Sequence, residues 1–105
     1  SALTPGQKLN MPIGGSAEWK TPMLAAVQRS VDDRRKAGSQ LPDLDYTRFT
    51  AAQGRYNSYT IDLGLAKGEG SQRFHVLEDM SGDEPYLFKV MLEAEAEALF
   101  KEFDR

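Results

Sequence analysis

Cysteine is absent from this chain. That excludes disulfides, thiolate metal sites and a cysteine nucleophile, and it leaves the redox compartment open. Histidine occurs once, at His75, so the common zinc sites, which draw on several His or Cys ligands, have no ligand set. Long apolar runs are missing too. No stretch approaches the roughly 20 residues that a membrane-spanning helix needs, so membrane insertion is not expected. No signal peptide is legible, yet the chain begins at Ser1 instead of Met, which reads as processing or excision from a longer chain. A cytoplasmic and a periplasmic or secreted setting both fit.

Phosphate-binding and nucleophile motifs are also lacking. Gly64, Gly68 and Gly70 match neither G-x-G-x-x-G nor a P-loop, and no Lys-Ser or Lys-Thr follows them into a helix. Ser30, Ser58 and Ser71 stand in no G-x-S-x-G elbow. Internal repeats and low-complexity tracts are absent. No cofactor is implied.

What is present is the composition of one globular domain: 105 residues, 40% hydrophobic and 28% charged. The net charge of -3 hides an asymmetry. Residues 1–77 carry ten Lys and Arg against seven Asp and Glu, whereas residues 78–105 carry three against nine. A pI near 5.1 argues against nucleic acid as a partner.

Residues 1–20 hold Pro5, Gly6, Pro12, Gly14 and Gly15, which interrupt helix and strand alike, and read as an extended or flexible arm preceding a domain at 21–105. Thr21-Pro22 is a helix start. Leu24, Val27 and Val31 then make an apolar stripe, and Gly38 ends a helix predicted for 22–37, with Arg34, Arg35 and Lys36 in its last turn. In 38–54 the periodicity does not decide. Tyr46, Phe49, Ala51 and Ala52 fit a short helix closed by Gly54, and a strand is the alternative.

From Arg55 the period becomes two. Tyr59, Ile61, Leu63 and Leu65 share one face of a strand, Gly68-Glu69-Gly70 is a hairpin turn, and a second strand follows over 71–78 with Phe74 and Val76 inward. Residues 85–92 are rich in aromatic and β-branched residues and read as a third strand, ahead of a helix over 93–104 built from Ala, Glu and Leu. The expected fold is α+β, in the order α–β–β–β–α, a three-stranded antiparallel meander with both helices on one side. Ile61, Phe74, Val90 and Leu99 are expected in one core.

Candidate chemistry is sparse. His75 can act as a general base with a carboxylate such as Asp62, but its strand position points it away from Phe74 and Val76, toward solvent or a helix edge. The carboxylates of 78–84 gather around a turn, and the calcium-loop spacing is not met, because Gly82 precedes Asp83. No metal site is expected. Trp19, at the junction of arm and helix, is either a staple or a contact anchor, and Tyr46, Tyr56 and Tyr59 extend an aromatic surface. These observations favour a non-enzymatic protein-interaction domain over a small hydrolase, a metal-dependent enzyme or a small-ligand binder. Its contact candidates are Trp19, Arg34, Arg35, Tyr56, Glu95 and Glu97, and its expected partner is another protein.

Overall fold

The computed structural model describes residues 20–78 and 88–105. The expected arm, Trp19 and most of the acidic turn lie outside the described residues. The order is α1 (Lys20–Lys36), β1 (Leu44–Gln53), a single 3-10 turn (Arg55–Asn57), β2 (Tyr59–Leu65), β3 (Ser71–Glu78), β4 (Phe88–Leu92) and α2 (Glu93–Phe103). The four strands form one antiparallel sheet in sequence order, β1-β2-β3-β4. The class is α+β, as expected, with four strands in place of three.

The added strand is β1, and its geometry explains why its period was hidden. Asp45 pairs with Gly64, but the next paired residue is Phe49, opposite Leu63, so residues 46–48 bulge out of the ladder. Tyr46, Phe49 and Ala51 all pack against the same core. The bulge spaces the first two by three residues, a helical interval, where an unbroken strand would give two. Asp45 holds the bulge: its carboxylate accepts from the Thr47 amide at 2.9 Å, the Thr47 hydroxyl at 2.6 Å and Arg48 Nε at 3.2 Å. These hydrogen bonds stabilise the ionised form and hold the Asp45 carboxyl below the usual carboxylate range.

α1 starts two residues before the expected position, with Thr21 and Pro22 inside its first turn. Its end is a Schellman motif. Gly38, at φ 100°, turns the chain so that its amide reaches Arg35 O at 3.0 Å and the Ser39 amide reaches Arg34 O at 2.8 Å. Met23, Val27 and Val31 are fully buried against Tyr59, Ile61, Leu63, Phe74 and Val76. Tyr59 is therefore core, and Tyr46 is half-buried against the same cluster. Neither extends an aromatic surface.

α2 does not join that core. β4 passes into α2 at Leu92–Glu93 with no loop. Leu92 lies opposite Phe74 and faces α1, and the next residue turns toward the other side of the pleat. There Met91, Ala96 and Phe100 form a second core with Leu77 and Leu99. Ile61, Phe74 and Val90 share the α1 core as expected, while Leu99 belongs to the opposite face. Strand alternation tells which residues share a face, not which helix covers it. The molecule is layered helix, sheet, helix, and α2 covers only the β3–β4 half of its face. Thr50 and Ala52 of β1 stay exposed beside it.

Candidate protein-contact surface

The β1–β2 connection contains an unusual turn. Gly54 N–H donates to Ser58 O at 2.8 Å and Ser58 N–H to Arg55 O at 3.0 Å, which encloses Tyr56 and Asn57. Both have left-handed backbones, with φ 54° and φ 61°. Asn tolerates this conformation through its short polar side chain, but a bulky residue is disfavoured there by about 1–2 kcal/mol. What holds Tyr56 in place is the end of α2. Its ring lies 4.9 Å, edge-on, from Phe103 and 5.5 Å from Phe100. The Arg55 guanidinium sits 4.8 Å from the Phe100 ring and 5.6 Å from Tyr56. It also bridges to Asp104 at 3.1 Å and Glu97 at 3.8 Å.

Phe100 is buried, but Tyr56 and Phe103 are 43% and 47% exposed, the large hydrophobics that the described surface leaves most open. The result is an aromatic ledge on a strained turn, rimmed by Arg55, Glu97 and Asp104. Two of the sequence candidates, Tyr56 and Glu97, meet here. Phe103 and Arg55 were not singled out from sequence. The signal that separates Phe103 is its place at the helix end, where burial runs out.

The remaining candidates lie elsewhere. Arg34 and Glu95, expected in separate basic and acidic regions, are each other's partner. The guanidinium meets both carboxylate oxygens, at 2.6 and 2.8 Å, across β4. Arg34 also donates to Val90 O at 3.1 Å and Ser30 Oγ at 3.1 Å. Glu95 accepts from the Leu92 amide at 2.9 Å, the reaching-back half of a capping box. The Arg34 hydrogen bond outweighs burial and lowers the Glu95 pKa to about 2. Arg35 donates to Pro42 O at 2.7 Å and lies 4.0 Å from Asp43.

His75 is 6% exposed and lies under α2, edge-on to Phe100 at 5.9 Å. Its Nε2 is 2.6 Å from Glu93 Oε1. A carboxylate accepts, so in the neutral ring Nε2 carries the proton. Asp62, the expected partner, is held instead by Arg73 at 2.8 and 3.0 Å. Among the described residues no group of three or more His, Cys, Asp or Glu is arranged to hold a metal, and no helix is long and apolar enough to cross a membrane. Comparison of the chain with protein-family models, curated proteins and solved structures gave no match, so the geometry alone carries the functional reading.

Proposed function

We propose that this chain is a non-enzymatic protein-interaction domain that meets its partner through the Tyr56–Phe103 ledge. The observation that supports this most is the exposed aromatic pair in which Tyr56, one of two consecutive left-handed residues, meets Phe103 at the end of α2. Backbone strain of this kind persists where the surroundings hold it, and it clusters at functional positions. Tyr and Arg are the residues that anchor contacts between proteins, and a ring of charged groups around an aromatic centre is the usual anatomy. The partner presents an apolar side chain to the two rings and polar groups to Arg55, Glu97 and Asp104.

The competing hydrolase reading has one feature in its favour, the short His75–Glu93 contact. Its burial weighs against it, since a substrate reaches His75 only if α2 lifts from the sheet.

The test is retention of partners on immobilised protein. A Tyr56→Ser, Phe103→Ser double variant with an unchanged circular-dichroism spectrum is expected to lose a protein that the wild-type chain retains. A Thr50→Lys variant, altered on the bare part of the sheet, is expected to keep it. Equal retention by all three sinks the ledge as the contact.

A further inference from the structure

Among the described residues β4 is an edge strand, and the Arg34–Glu95 pair does to it what a neighbouring strand would do. A strand edge presents alternating backbone acceptors and donors. On β4 Val90 O points outward and takes a hydrogen bond from Arg34 Nη2 at 3.1 Å. The Leu92 amide, on the same edge, gives one to Glu95 Oε1 at 2.9 Å. The two side chains then close on each other. The pair is a bolt across the edge. A cleft of about 560 Å³ opens between α1 and β4, lined by Arg29, Asp33 and Phe88. Another of about 550 Å³ opens between α2 and β4, lined by Lys89, Leu99 and Glu102. Both reach Arg34 and Val90.

We infer that the β4 edge is a second binding site, closed by the Arg34–Glu95 bolt, that takes an extended segment of a partner polypeptide carrying an acidic residue next to a basic one. Successive side chains of an added strand point to opposite sides. One enters the α1 cleft, where Arg34 and Arg29 stand beside Asp33, and the next enters the α2 cleft, where Glu95 and Glu102 stand beside Lys89. Opening the bolt leaves Arg34 and Glu95 without their mutual charge, so an incoming segment must supply a carboxylate to the first and a cation to the second. Its backbone takes over the hydrogen bonds at Val90 O and the Leu92 amide. An uncharged strand restores the backbone bonds and leaves two ions unpaired, which selects against it. This site stands apart from the Tyr56–Phe103 ledge and does not rest on it.

The test uses the full chain, labelled with nitrogen-15, and three blocked eight-residue peptides. Each alternates Thr and Val, with Glu-Lys, Ala-Ala or Glu-Glu at its centre. The Glu-Lys peptide is expected to shift the Val90 and Leu92 amides and to bind about tenfold more tightly than the Ala-Ala peptide, a difference that added salt reduces. In Glu95→Gln the preference for Glu-Lys over Glu-Glu is expected to vanish while the Ala-Ala peptide gains. Arg34→Lys is the second variant should Glu95→Gln fail to fold, and it is expected to ease entry of all three peptides. Shifts that map away from β4, equal binding of the three peptides, or no shift with any of them overturns the site. So does movement of the Val90 and Leu92 amides with protein concentration alone, which would make a second copy of this chain the occupant.

Discussion

Arg34 directs its guanidinium at three partners on three elements: Ser30, Val90 O and Glu95. The consequence for acid stability follows from Glu95. Its pKa falls from the ordinary 4.5 to about 2 in the folded chain, so the stabilisation is complete above pH 4.5 and is lost as pH falls toward 2. Because the Glu95 side chain is 47% exposed, solvent screening limits the contribution to about 1 kcal/mol or less. Urea titrations at pH 5 and pH 3 should show wild type losing more stability on acidification than Arg34→Met, whose Glu95 no longer has its cation. Tyr56 allows strain and ring contacts to be measured separately. Tyr56→Asn and Tyr56→Val both remove the ring, but only Val resists the left-handed backbone at φ 54°. Urea denaturation is expected to find Tyr56→Val less stable than Tyr56→Asn by about 1 kcal/mol or more. Equal stabilities would mean that the turn relaxes once the ring has gone.

At the scale of elements, the sheet divides the apolar residues into two cores that have no residue in common. Val31→Ala in the α1 core and Leu99→Ala in the α2 core are therefore expected to add within about 0.5 kcal/mol. Val27→Ala combined with Ile61→Val, inside one core, is expected to deviate from the sum. Calorimetry on the single and double variants reads both cases. The elements legible in the sequence were those with an unbroken period: β2 and β3 by alternation, α1 by its stripe and Gly38, and the β4–α2 boundary by the change from aromatic and β-branched residues to Ala, Glu and Leu. β1 was not legible, because the bulge at 46–48 shifted its phase and gave Tyr46 and Phe49 a helical interval. Nor was the side taken by α2, which depends on where β4 stops. The ledge was half legible. Tyr56 could be named as an aromatic candidate, but its left-handed backbone and its contact with Phe103 join parts of the chain too far apart for any local pattern.

For the whole molecule the two helical layers are unequal. Among the described residues α1 closes a cluster of eight buried residues and α2 one of three, Met91, Ala96 and Phe100. Ion pairs add to the hold on α2, from Arg34 to Glu95 and from Arg55 to Asp104 and Glu97. The smaller apolar contact makes α2 the layer that opens first. Its amides are expected to exchange hydrogen faster than those of β2 and β3, and 1 M salt, which shortens the screening length to about 3 Å, is expected to widen the gap. Uniform protection would show that the three layers unfold as one unit. The meander bears on a different property, the rate of folding. Each strand pairs with its neighbour in sequence, so the sheet assembles through short loop closures with little chain entropy lost at each. Arg34 meets Glu95 across 61 residues and Val90 O across 56, so these contacts can form only after the strands have been gathered. Glu95→Gln should therefore steepen the loss of the native state with time and leave its rate of formation nearly unchanged, raising one arm of a chevron plot and not the other.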